Sequence, residues 1–311
     1  MKKTKLLLGI LVLLISLTLF VGCTNNTKKE PLVMGEPNWP GILAKNAVAT
    51  HILSNIGYEV DRKQLTDPVI HQGLADAEVD IYLGSWMPSI KELRQELGEN
   101  NIDLVTTNMN DGLYTMAVPE YLWEQGVRTY SDLNKYADKF DYKMYVGEAG
   151  WEASEIMNHA IDENIYNLGK WKAITSTQSA LMAQMKKAIN NEEWMVFIAW
   201  KPHWMNYVFD IKYLEDPEQL WESAESWVDT LARKGLKEDY PQVYKFLEQF
   251  IPDAELSNEW IYEIGYQEKD PDDVARKWVA ENMDIVAEWL AGVKSADGKK
   301  AIDVLRKNIN K

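Results

Sequence analysis

The chain of 311 residues has a single cysteine, Cys23, so no internal disulfide can staple it. Its four histidines, His51, His71, His159 and His203, lie far apart in sequence. No C-x-x-C or H-E-x-x-H spacing draws them into a metal site, and none is expected. Glycine-rich phosphate loops of the G-x-G-x-x-G or Walker type are missing, as is a G-x-S-x-G nucleophile elbow. The sequence therefore carries no motif for a nucleotide, metal or other cofactor, and an extracellular enzyme stands only as an alternative without a motif. Basic residues are also short: 33 Lys and Arg stand against 48 Asp and Glu, a formal net charge of −15. A surface of that sign is a poor partner for nucleic acid or anionic lipid. After residue 22 no apolar run is long enough to span a bilayer.

What is present begins with MKKTKLLLGILVLLISLTLFVGC. Lys2, Lys3 and Lys5 precede an apolar run from Leu6 to Val21, and the small Gly22 precedes Cys23. That layout reads as an export signal over residues 1–22 and is set aside from fold reasoning. The end of the run, FVGC, resembles a bacterial lipobox, in which the cysteine is lipidated; Phe20 stands where Leu or Ile is usual. The other reading is an uncleaved anchoring helix. Both leave the lysines on the cytoplasmic side and the body outside the cell membrane. Residues 23–30, with the polar run TNNTKKE, read as a tether.

From residue 31 the pattern alternates. PLVMGEP, YEVDRKQL, DIYLGSW and IDLVTT read as strands, and ILAKNAVATHILSNIGY, PVIHQGLADAEV and SIKELRQELGENN between them read as helices. A second α/β set follows, with strands GLYTMAVP, YKMYVG, WKAITS and WMVFIAW. From about Pro217 the chain reads as mostly helical, ESWVDTLARKG included. Two such sets predict an α/β protein of open sheets covered by helices, in two lobes with the tail packed on the first.

Thirteen tryptophans are a heavy load. Trp221, Trp227, Trp260, Trp278 and Trp289 have amphipathic neighbours and read as core or interlobe packing. Trp39, Trp86, Trp151 and Trp200 instead stand at or just after strand ends, where open α/β sheets bind their ligands. Any one of them is equally well explained as packing. Four at equivalent positions suggest one crevice, with Tyr114 as a further wall. A quaternary ammonium has no N–H to donate, and its charge is spread over apolar methyl groups. Aromatic faces satisfy both properties, with on the order of 2 kcal/mol from each well-placed desolvated ring.

The motifs WMP at Trp86, GLYTMAVP, GW at Trp151 and WKPHWM at Trp200 resemble substrate-binding proteins of glycine betaine/choline-type ABC transporters. The resemblance covers nearly all of the chain after the leader. It implies a two-lobed periplasmic-binding-protein fold of type II with the ligand in the interlobe cleft. Lobe 1 would comprise residues 31–110 plus 207–311 and lobe 2 residues 111–206, with crossings near Asn108–Tyr114 and Trp200–Asp210. It also implies a monomer that closes over a small quaternary ammonium ligand and docks on a membrane permease. Trp86 and Trp200 match the family's cage, while Trp39 and Tyr114 match that of its choline-binding branch. Two features depart from that branch. Gly41 replaces an acid two residues after the first tryptophan, and Trp151 with Glu152 replaces small or amide residues. The backbone N–H groups of Gly41 and Ile42, opening a helix, are placed to hold a carboxylate. That favours a zwitterion such as glycine betaine, with choline, carnitine or another methylated amine as alternatives. His203 would either bond that carboxylate or brace the turn, and Trp204 would pack beneath Trp200. In a lipoprotein adapter that binds no solute, Trp39, Trp86 and Trp200 would be core residues.

Overall fold

A computed structural model describes residues 30–98, 101–221 and 225–309. The leader, Cys23 and the tether to residue 29 lie outside the described residues. Among the described residues no helix is long and apolar enough to cross a membrane. Nine strands form one hydrogen-bonded sheet: β1 (Leu32–Glu36), β2 (Val60–Gln64), β3 (Ile81–Met87), β4 (Ile102–Pro119), β5 (Lys143–Gly147), β6 (Lys172–Thr175), β7 (Phe197–Lys201), β8 (Ile211–Tyr213) and β9 (Glu225–Arg233). Their order is β2-β1-β3-β9-β4-β7-β5-β6, with β8 beside β4. β1 pairs in parallel with β2 and β3, and β5 pairs in parallel with β6 and β7. The central strands β9 and β4 run antiparallel to their neighbours.

The sequence segments IDLVTT and GLYTMAVP fuse into the single 18-residue strand β4. At about 3.3 Å per residue such a strand is roughly 60 Å long. Its first part pairs with β9 and its last part with β7 and β8. Register shifts along the β4–β9 ladder interrupt the pairing in three places, as bulges do where a strand bends. Two hydrophobic clusters divide at this strand. The first gathers Leu32, Met34, Ile42, Tyr82, Leu231 and Phe246 with the tryptophans Trp260, Trp278 and Trp289. The second gathers Met116, Val118, Tyr130, Met144, Phe197, Trp204 and Trp221.

The helix Pro40–Asn55 begins with a proline in its first turn, where a missing N–H costs nothing. Ten of its residues are buried, from Gly41 to Leu53, so it is covered nearly all round and carries no solvated face. It packs against the C-terminal helices Ala254–Ile261 and Pro271–Glu281.

Two expectations are corrected. ESWVDTLARKG is not helical: residues 225–233 form β9, between β3 and β4. From Val228 to Ala232 every position of the strand is buried, so the period of two is lost there, and the apolar positions 227, 228, 231 and 232 then imitate a helical stripe. Trp227 on that strand is 36 % exposed and fills no core. Within residues 208–221, β8 pairs with Ala117–Pro119, and Leu214 and Trp221 are buried in the second cluster.

The helix Lys91–Leu97 is pinned to the sheet by a buried ion pair. Arg94 Nη1 donates to Asp229 Oδ2 at 2.7 Å, and Thr107 Oγ1 donates to Oδ1 at 2.8 Å. Asp229 is 2 % exposed. Removing one member of such a pair leaves an uncompensated charge. Asp229→Ala is expected to cost about 3 kcal/mol of stability, read from urea unfolding of the full chain.

Candidate functional site

The strand ends converge on one cavity of about 120 Å³. β1 is followed by Trp39, which precedes the helix Pro40–Asn55. β3 carries Trp86 and β7 carries Trp200, each at its penultimate position. β5 is followed by Trp151, which precedes the helix Glu152–Asp162. β4 supplies Tyr114, whose register partner across the ladder is Trp200. All five rings line the cavity.

The rings form a continuous arc. Trp39 stands edge-on to Trp86, with centroids 6.2 Å apart at 77°. Trp86 is 6.4 Å from Tyr114, and Tyr114 is 6.4 Å from Trp200. Trp151 closes the arc edge-on to Trp200 at 5.5 Å and 83°. Trp221 lies behind Tyr114, edge-on at 5.7 Å, and its Nε1–H donates to the Tyr130 hydroxyl at 2.6 Å. That second layer fixes the tyrosine's tilt. Two glycines make room. A Cβ at Gly41 would lie 2.6 Å from the Trp39 ring, and one at Gly147 only 2.3 Å from Trp151, where φ of +83° already disfavours a side chain. The peptides before Pro88 and Pro202, which follow the Trp86 and Trp200 segments, are both cis.

Two carboxylates share the cavity wall. Asp67 opens the helix Asp67–Ala75 and accepts a hydrogen bond from the Tyr82 hydroxyl. Glu152 accepts one from Ser89 Oγ, which ties the loop after β3 to the helix after β5 across the cavity. Among the described residues no Lys or Arg lines this chamber. Negative side chains and π-faces together suit a cation whose charge is spread over methyl groups.

A family model described as the substrate-binding domain of ABC-type glycine betaine transport systems matches residues 30–281. The chain belongs to this family. It is 34 % identical over 161 residues to the glycine betaine/carnitine transport binding protein GbuC of Listeria monocytogenes serotype 1/2a (strain 10403S), an alignment that covers 52 % of this chain and 53 % of the relative. The chain thus spans about half the length of that curated relative. An ABC-transporter choline-binding protein in complex with choline superposes with a TM-score of 0.85 at 26 % identity, covering 90 % of this chain and 98 % of that one. Lactococcal OpuAC, closed on glycine betaine, gives 0.75 at 26 % identity, covering 84 % and 99 %. The fold is the two-lobed α/β fold of periplasmic substrate-binding proteins, with a curled mixed sheet.

The structure draws Trp39, Trp86, Tyr114, Trp151 and Trp200 together but leaves the other three expected contacts outside this binding-protein chamber. Gly41 lines a smaller annex behind it, and Ile42 N–H donates back to the Trp39 carbonyl at 3.2 Å. His203 is 2 % exposed; its Nδ1 accepts from Met205 N–H at 3.3 Å, so it braces the turn. Trp204 is buried against His203, Phe209 and Tyr266. Sequence reading missed Asp67 and Gln178 as lining residues, although both follow strands, β2 and β6, by the same strand-end rule.

Burial sets the protonation of the buried groups. The His71 and His203 rings are held neutral, their pKa values pulled down to about 4 and about 3 by desolvation. Burial pushes the Asp67 carboxyl up to about 6, against the Tyr82 hydrogen bond, which favours the ionised form. A carboxyl raised in the folded state favours folding below its ordinary value of 3.8, and that contribution is lost as pH rises through about 6. Asp67→Asn is therefore expected to raise the unfolding midpoint at pH 7 by about 5–10 °C, on the order of 3 kcal/mol for a carboxyl moved from 3.8 to about 6. At pH 3.5 the difference should vanish, as thermal scans at both pH values will test.

Proposed function

We propose that this chain is the extracytoplasmic solute-binding component of an ABC importer. In this reading it captures a quaternary ammonium compound, glycine betaine foremost, and delivers it to a membrane permease. The observation that carries this reading is the arc of five rings around one chamber that also bears Asp67 and Glu152 and no cationic side chain. Family membership supports the transport role. The proposed lobes are residues 31–110 with 225–311, and residues 111–221, following the two hydrophobic clusters. The Ser89–Glu152 bond across the chamber is the kind of interlobe contact that a closed state makes. Lipidation at Cys23 would tether the protein, as a monomer, to the outer face of the cell membrane.

Choline is the second reading, favoured by the same two carboxylates, which suit a bare cation. Either ligand depends on the rings. Losing one desolvated cation–π partner costs about 2 kcal/mol, so Trp86→Ala is expected to weaken binding about 30-fold. A Trp86→Ala, Trp200→Ala double variant should bind neither compound at millimolar concentration. Titration calorimetry on the full chain, with circular dichroism as the folding control, gives the answer. Unchanged affinity in the folded variants would remove the cage from the reading.

A further inference from the structure

The helix Ala254–Ile261 and the wide turn Tyr262–Tyr266 that follows it belong to both hydrophobic clusters at once. One side is rooted in the first cluster. Trp260 is fully buried there, edge-on to Trp278 at 4.9 Å, and Ile264 is buried in the same cluster. The other side enters the second cluster, where Ile261 is buried and Tyr262 packs against it. The Gln267 N–H closes the turn by donating to the Tyr262 carbonyl at 3.0 Å, one residue further than an α-helix reaches. Single turns of that width occur mostly at functional positions.

Trp204 meets this segment. It is the second tryptophan of WKPHWM, and the chamber makes no use of it. Its ring lies 5.3 Å from that of Tyr266, which in turn stacks on Tyr262 at 5.3 Å and 17°. The approach depends on Gly265. A Cβ there would lie 2.8 Å from the Trp204 ring and 2.9 Å from Pro40, the residue after the chamber's Trp39. Two polar contacts flank the rings. Lys186 Nζ, on the helix Gln178–Asn190, lies 5.6 Å from the Tyr266 ring centroid. Asn258 Nδ2 donates to the Tyr207 hydroxyl at 2.6 Å. Lys186, Trp204 and Tyr207 fall in one proposed lobe, and Asn258, Gly265 and Tyr266 in the other.

None of these residues lies on β4, the strand that both clusters share. A rotation of the lobes about that strand therefore separates the two sides of the contact. The contact is also built to part. Tyr266 is 36 % exposed and Tyr207 68 % exposed, so separation wets rings that carry a hydroxyl rather than bare hydrocarbon.

We infer that Trp204, Gly265 and Tyr266 form an interlobe latch that holds the lobes together without ligand. None of the three lines the chamber. A latch outside the chamber changes the population of the binding-competent form, and with it the affinity for every ligand by one factor. In this the latch goes beyond the proposed ligand and does not depend on it.

Tyr266→Ala removes the ring that Trp204 and Lys186 share and leaves the chamber walls in place. Small-angle X-ray scattering on the full chain is expected to give a larger radius of gyration for the unliganded variant than for the unliganded parent. Titration calorimetry should show glycine betaine and choline weakened by one common factor, between about two- and fivefold. An unchanged radius, or a loss confined to one ligand, would overturn the inference. If the variant does not fold by circular dichroism, Lys186→Ala, on an exposed position, decides it in the same way: a larger unliganded radius supports the latch and an unchanged one refutes it. The scattering needs no ligand, which separates the two levels. A parent chain that binds neither compound removes the quaternary ammonium reading, while the latch still stands or falls by the radius.

Discussion

The governing constraint is that five aromatic rings must stand around a space without collapsing into it. Bare ring faces in water gain by packing on one another, so each has to be held from behind. Trp221, anchored by the Tyr130 hydroxyl, stands behind Tyr114. Trp200 packs on His203, which braces its own turn through the Met205 N–H. Gly41 and Gly147 let Trp39 and Trp151 lie close to their own backbone. The sheet serves the same end, because β3, β4 and β7 deliver three of the rings from rigid, paired strands.

The second organising feature is the placement of charge. Asp67 and Glu152 face the ring-lined chamber, while Lys45 is sunk behind it on the most thoroughly buried helix of the first cluster. The Asn108 amide, clamped by Leu83 and Thr230, gives that ammonium its protein partner and ties it to β4, the strand shared by both hydrophobic clusters.

That five rings share one chamber was largely legible in the sequence because it depends on a local signal: four tryptophans stand at or just after strand ends, which open α/β sheets bring to one edge. The hydrogen bonding behind the chamber was not legible. The Ile42 amide reads in sequence as free, but its N–H donates to the Trp39 carbonyl, and the His203 ring nitrogens meet Gln178 and the Met205 N–H. Lys45 reads in sequence as one more solvated lysine on a helix, and Ser257 and Gln178 as ordinary surface polar residues. β9 escapes sequence reading for a related reason: between β3 and β4 every position from Val228 to Ala232 is buried, so that stretch shows no alternation from which to infer a strand.

The sequence by itself determined the residue types and their short-range settings: tryptophans at strand ends, prolines after two of them, alternating strand and helix, and an acidic chain with a leader-like start. These follow from bonding and periodicity within a few residues. Tertiary structure alone decided which buried groups keep their hydrogen bonds to themselves and which are left to offer them. Lys45, Asn108, Gln178 and Ser257 come from four separate elements and meet only when the sheet, the helix Pro40–Asn55 and the C-terminal helices pack. Desolvation then makes their hydrogen bonds matter, and desolvation is a property of the packed volume, not of any stretch of chain.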